Sequence, residues 1–140
     1  MDFEYFDEIT SDQLFRAYGS SLPEVFRNAA RAMFGVMYDL EEIVLDHEIE
    51  VCAVGIDEKH LLYDWLSNLL LEFEVEGVFF ADFSITTIEE TPKEGFQLIG
   101  IAKGSQKMPE LRTQVKGVTL HRFSLERVNN RYIATVVVDV

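Results

Sequence analysis

Carboxylates are the abundant raw material for chemistry in this chain: 25 Asp and Glu stand against 12 Lys and Arg, three His and one Cys. Hard oxygen ligands of this kind suit Ca2+, Mg2+ or Mn2+. Most must be solvated surface charge, and Glu41-Glu42, Glu72/Glu74/Glu76 and Glu89-Glu90 are read that way. Two stand in unusual context. Asp12 follows Thr10-Ser11 in a short polar break between apolar stretches, where a strand turns back, and a turn-forming Asp is its plainer reading. Asp139 closes the run Val136-Val137-Val138 and is followed by Val140. A strand this hydrophobic is expected to be central in its sheet. Its end would hold the Asp139 side chain and the Val140 α-carboxylate together, and two such groups repel unless a cation or basic group joins them. A frayed, solvated terminus is the competing reading.

Other chemistries find less support. Cys52 lies in an alternating apolar strand pattern and is expected to be a small buried hydrophobe. No G-x-S-x-G, P-loop or G-x-G-x-x-G is present, and one Cys with three scattered His gives no zinc spacing. His47 and His60 read as surface residues beside a strand start and a helix start. Asp64, in Leu61-Leu62-Tyr63-Asp64-Trp65-Leu66, lies opposite an apolar helix face and reads as solvated surface or as a contact for a partner. Lys103, Lys107, Arg112 and Lys116 gather the basic charge, so Lys116 is a candidate for an anion or carboxylate contact. On one regular strand Lys116 and His121 would face opposite sides.

The elements that must position these residues can be read from period. Leu22, Val25, Phe26, Ala29, Met33, Val36 and Met37 recur at helical spacing behind Ser21 and Glu24, a capping-box pattern with Pro23 in the first turn. A second helix is expected from about Glu58 to Phe73, with Asp57 as N-cap and Gly77 at its exit. Strands are expected at Phe3–Phe6, Leu14–Tyr18, Glu48–Val54, Phe79–Thr86, Gln97–Ala102, Val115–Arg127 and Arg131–Val140. Asn129-Asn130 would turn the last hairpin. Gly104–Thr113 has no period and is expected to be a mobile loop. The sum is an α+β fold: one domain over residues 1–140, two main helices packed on a mostly antiparallel β-sheet.

Composition narrows the partners. A chain of 140 residues with 48% hydrophobic residues can build one core, and its net charge of −13 repels polyanions. Autonomous nucleic-acid binding is therefore not expected, and basic protein surfaces are the favoured partners. The first ten positions carry Asp2, Glu4, Asp7 and Glu8, unlike a signal peptide, and no apolar run approaches a membrane span. With no internal disulfide available, a cytoplasmic chain is expected.

Several segments in order resemble the archease family over almost the whole chain. Phe3-Glu4-Tyr5-Phe6 with Thr10-Ser11-Asp12 is similar to its opening signature, and Ala17-Tyr18-Gly19 with Asn28-Ala29-Ala30 follows into its first helix. Leu61-Leu62-Tyr63-Asp64-Trp65-Leu66 matches its helix motif, Val115-Lys116-Gly117-Val118-Thr119-Leu120-His121 its Val-Lys-Ala-Val-Thr-aromatic-His strand, and Val138-Asp139-Val140 its ending. Glu8 and Ile9 stand where the family often has Asp and His, Gly117 replaces a usual Ala, and Leu120 a usual aromatic. The resemblance implies a non-catalytic activator of a GTP-dependent RtcB-type RNA ligase, promoting guanylylation and multiple turnover in tRNA splicing and RNA repair. It also implies a divalent cation, Ca2+, on Asp12, Asp139 and Val140, with Lys116 and Asp64 as candidates for partner contact. Two other expectations compete: a chaperone or adaptor for tRNA-modifying enzymes such as a tRNA methyltransferase, and a metal-dependent hydrolase or transferase using the same carboxylates.

Overall fold

Capping chemistry sets where the two helices begin. In the computed structural model, which describes residues 1–6 and 11–140, the first helix (α1) spans Leu22–Met37. The Ser21 hydroxyl accepts from the Glu24 N–H, while the Glu24 carboxylate turns to the Ser20 hydroxyl instead of closing the reciprocal bond of a full capping box. The second helix (α2) spans Glu58–Glu76, one turn longer than its apolar period. Asp57 accepts from the His60 N–H at 2.7 Å, and Gly77 ends the helix in the left-handed region at φ 66°. None of the described helices is long and apolar enough to cross a membrane.

Among the described residues seven strands surround them: β1 (Phe3–Phe6), β2 (Asp12–Gly19), β3 (His47–Gly55), β4 (Phe79–Thr91), β5 (Gly95–Ser105), β6 (Gly117–Val128) and β7 (Arg131–Asp139). Every pairing is antiparallel, as expected, but the strands divide into two sheets, β1-β2-β7-β6 and β3-β5-β4. The α+β class with two packed helices holds. What strand periodicity did not carry is the division of the sheet, because partner choice depends on contacts distant in sequence.

The core lies between the helices and the inner sheet faces. Phe34 on α1 meets Phe73, Phe80 and Phe83 with ring centroids 5.6 Å apart, contacts worth more than their buried area alone. Trp65 is fully buried, donates from Nε1 to the Phe26 carbonyl, and lies against Gly100, where a Cβ would stand 2.7 Å from the ring. Leu61, Leu62 and Leu66 are also wholly buried, so the helix motif is chiefly a packing motif. Tyr38 is buried with its hydroxyl on the Phe80 carbonyl, and burial pushes its ionisation well above the ordinary tyrosine range.

Two expectations fail at the surface. Cys52 is exposed: on β3 it alternates with buried Val51 and Ala53 and so takes the outer face. The expected loop starts later than Gly104, because Gly104 and Ser105 belong to β5, and the exposed irregular stretch after them is fastened at Arg112. The Arg112 N–H donates to the Met37 carbonyl at 2.7 Å and its guanidinium to the Gly35 carbonyl at 3.2 Å. An arginine from the loop thus supplies the cation that the last turn of α1 lacks.

Asp57→Ala should lower stability by about 1 kcal/mol in thermal denaturation, whereas Asp57→Asn, which keeps a capping oxygen, should lose much less. The His60 N–H holds the Asp57 carboxyl below its usual range. A lowered folded-state value means stability present above the unfolded pKa and lost as pH falls. The gap between wild type and Asp57→Ala should therefore narrow below about pH 4.

Candidate functional site

β7 is the element that assembles the carboxylates. Ala134, Val136 and Val138 face the helices and are fully buried, which fixes the strand between β2 and β6. Because side chains alternate, Thr135, Val137 and Asp139 face the other side of the sheet. The β2 register places Asp12 directly opposite Asp139 and Leu14 opposite Val137, so both carboxylates rise from the same face at one corner. The expectation of a central β7 ending in a carboxylate is met.

The backbone around the pair is closed by two further bonds. Val140 N–H donates to the Ser11 carbonyl at 2.8 Å, and Lys116 N–H donates to the Asp139 carbonyl at 2.7 Å. Ser11 holds φ 78°, a conformation uncommon for a residue with a side chain and one that accumulates at functional sites. Gly117 pairs with Asp139 from the β6 side, and a Cβ there would meet nothing within 4 Å. Asp12, Asp139, Val140 and Lys116 are thus neighbours, although they come from three separate stretches of the chain. Thr10, Glu8 and Ile9 lie outside the described residues.

Among the described residues, no ion pair and no side-chain hydrogen bond reaches Asp12 or Asp139. Like charges directly opposed across strands cost roughly 0.2–1 kcal/mol. One further polar atom on this face is unsatisfied: Thr119 Oγ1, on the rung formed with Val137, is buried without a hydrogen-bond partner among the described residues. Two carboxylates, an oxygen of Val140 and room beside Gly117 make a donor set that fits a hard divalent cation. The set is sparse, since no group of three or more His, Cys, Asp or Glu converges among the described residues.

The corner does not belong to the acidic part of the surface. Residues 39–94 contain 16 acidic and two basic residues, whereas residues 95–140 contain three acidic and seven basic. The solvated-charge reading suits the first group, which carries Glu41-Glu42, Glu72/Glu74/Glu76 and Glu89-Glu90. Asp139 belongs to the second.

The partner-contact candidates separate. Lys116 is exposed and sits just before β6, at the corner. The alternation argument against His121 does not apply, because β6 loses register between Thr119 and Ser124, with Arg122 at φ 58°. Asp64 lies elsewhere and is engaged within the fold. Its Oδ2 accepts from the Val54 N–H at 2.8 Å and from Asn68 Nδ2 at 3.2 Å, while Asn68 also donates to the Cys52 carbonyl. Asp64 and Asn68 thereby satisfy the open edge of β3, a role that the helical period could not indicate. Sequence reasoning also missed Ser11 and Thr119, which only the pairing of β2, β7 and β6 places beside the carboxylates.

A small α+β protein with an opposed carboxylate pair at the end of a buried central strand is the class that fold and site define. The family model described as the archease protein family (MTH1598/TM1083) matches residues 3–140. Protein archease of Methanosarcina acetivorans is 40% identical, with 99% of this chain and 95% of that protein covered. That of Methanopyrus kandleri is 33% identical, with 95% and 96% covered. The solution structure of Methanobacterium thermoautotrophicum protein 1598 aligns with a TM-score of 0.87 at 38% identity over 99% of each chain. The crystal structure of a Thermotoga maritima archease, described there as a "possible chaperone", aligns at 0.60 and 25% identity over 96% of this chain and 94% of that one. This chain belongs to the archease family.

Neutralising either member of the pair should stabilise the cation-free protein. Asp12→Asn and Asp139→Asn are each expected to gain roughly 0.2–1 kcal/mol in denaturant titrations with chelator at low salt. Asp64→Ala should do the reverse and lose about 1–3 kcal/mol, because the Val54 N–H is left without its acceptor. Hydrogen exchange at Val54 reads that change directly.

Proposed function

We propose that this archease is a non-catalytic activator of an RtcB-type RNA ligase, acting through a divalent-cation site on Asp12, Asp139 and an oxygen of Val140. The observation that carries the reading is the register of Asp12 with Asp139: two carboxylates without a partner among the described residues face one another across β2 and β7, and the core holds β7 rigid. The resemblance of the chain's segments to the archease family supplies the ligase, the cation Ca2+ and the role of promoting guanylylation.

Physical arguments support the division of labour. A bound divalent cation supplies a positive centre that relieves the repulsion between the two carboxylates. The sparse protein donors leave most of a six- to eight-oxygen shell to water or a partner, so binding is weak and the ion is shared easily. Lys116, held beside Asp139 by its backbone, offers a cation to an anionic group on the partner. The acidic residues concentrated at positions 39–94 steer the protein to a basic ligase surface, with faster, salt-sensitive association. Activation requires that the ligase state ready for nucleotide bind more tightly than the other, since equal affinity shifts nothing. Direct binding of RNA plays no part in this scheme, and the site of action is the cytoplasm.

A second reading is a chaperone or adaptor for a tRNA-modifying enzyme such as a tRNA methyltransferase, in line with the description of the Thermotoga maritima archease. One assay separates them: guanylate transfer from labelled GTP onto a cognate RtcB-type ligase with Mn2+, with and without this protein. The expected result is a clear rate increase at substoichiometric protein, lost in Asp12→Ala and in Asp139→Ala while circular dichroism shows both folded. Full activation by a folded Asp12→Ala/Asp139→Ala double variant overturns the cation-site assignment. No effect on an active ligase overturns the activator reading in favour of the adaptor.

A further inference from the structure

Thr119 carries a hydroxyl that packing does not explain. It lies on β6 opposite Val137, with Val118 paired to Val138 beside it, so β-branched apolar side chains already fill this part of the sheet. Valine has nearly the same shape as threonine and would leave no polar atom to satisfy. Yet Thr119 Oγ1 is buried with no hydrogen-bond partner among the described residues, a state that folded proteins rarely tolerate without a use. Thr135, on the same outer face, shows the contrast: its Oγ1 accepts from Arg16 Nε at 3.3 Å.

The register shows where the hydroxyl stands. Thr119 pairs with Val137 and Gly117 with Asp139, so Thr119 and Asp139 are diagonal neighbours on one face, and Asp12 lies across from Asp139 on the far side. Diagonal neighbours stand about 7–8 Å apart, a gap that an ion or a water can bridge between two short side chains. Gly117, between them along β6, contributes no side chain, and a Cβ placed on it would meet open space to 4 Å. A group seated over Asp139 would therefore have Asp12 on the β2 side, the space above Gly117 on the β6 side and Thr119 one rung along.

We infer that Thr119 Oγ1 is a further oxygen of the divalent-cation site, completing the shell either directly or through one bound water. The inference rests on the cation-site reading above and extends it to a residue outside the Asp12, Asp139 and Val140 set. A neutral hydroxyl adds an oxygen without adding repulsion to the two carboxylates. It also supplies the donor set from the β6 side, which otherwise presents only glycine to Asp139.

The test uses the whole chain and reads Ca2+ binding by calorimetry together with thermal melting in chelator. Thr119→Val should bind Ca2+ roughly tenfold more weakly, yet melt in chelator at or above the wild-type temperature, because an unsatisfied buried hydroxyl has been removed. Thr119→Ser, which keeps the oxygen, should retain near wild-type affinity. Wild-type Ca2+ affinity in Thr119→Val overturns the inference, as does a lowered melting temperature in chelator, which would give the hydroxyl a structural partner. Asp12→Asn is the control that separates the two levels. If it abolishes binding while Thr119→Val does not, only the role of Thr119 falls. If Asp12→Asn binds as wild type does, the cation site falls and Thr119 with it.

Discussion

The burial of β7 between β2 and β6 governs the rest of the structure. Three fully buried residues on one side of the strand, Ala134, Val136 and Val138, commit it to the helices, and Val137 is nearly buried on the other. A slip of one residue would exchange those faces, so the register with β2 is strongly specified. That register, and nothing local to residues 12 or 139, brings Asp12 opposite Asp139. The same commitment places Gly117 and Thr119 on the other flank, and it fixes the Lys116 backbone on the Asp139 carbonyl. The site is thus a by-product of hydrophobic patterning on a strand that has no polar side chain of its own between Thr135 and Asp139.

Holding two like charges at one corner works against stability, and no ion pair among the described residues relieves it. Elsewhere the chain is careful with its carboxylates. Asp57 caps α2, Asp64 closes the β3 edge, Asp82 pairs with Arg27 at 3.0 Å, and Glu4 takes the Tyr18 hydroxyl. Among the described residues Asp12 and Asp139 have no such partner, although seven basic residues lie in the last 46 positions. Local disagreement with the rules that the remainder of a chain obeys is the physical mark of a functional constraint.

Legibility followed the range of the interactions. Both helices, their caps and all seven strands could be read from period and from Ser21, Asp57, Gly77 and Asn129-Asn130, because those signals are local. The partition into two sheets, the exposure of Cys52 and the capping role of Asp64 could not, because each depends on which strand is the neighbour. Asp64 is instructive. Its position opposite the apolar face of α2 was visible, but the Val54 N–H that it satisfies is ten residues away on a different element. The carboxylate pair was half legible: each member was conspicuous alone, and their convergence came only from resemblance until the register supplied it.

Affinity and charge place further limits on how such a corner could work. A site dominated by acidic residues from positions 39–94 would attract any cation through a broad field, and one or two substitutions would matter little. The actual corner has two carboxylates, both outside the acidic stretch 39–94, so its pull on a cation is short-ranged and depends on geometry. Short-ranged, ligand-poor binding is sensitive to any group that can complete the shell, whether Thr119 from within or an oxygen from a partner. In the proposed scheme the steering charge and the ion-holding charge are therefore different residues in different parts of the fold. Changing one set should alter encounter rates, and changing the other should alter what happens after encounter.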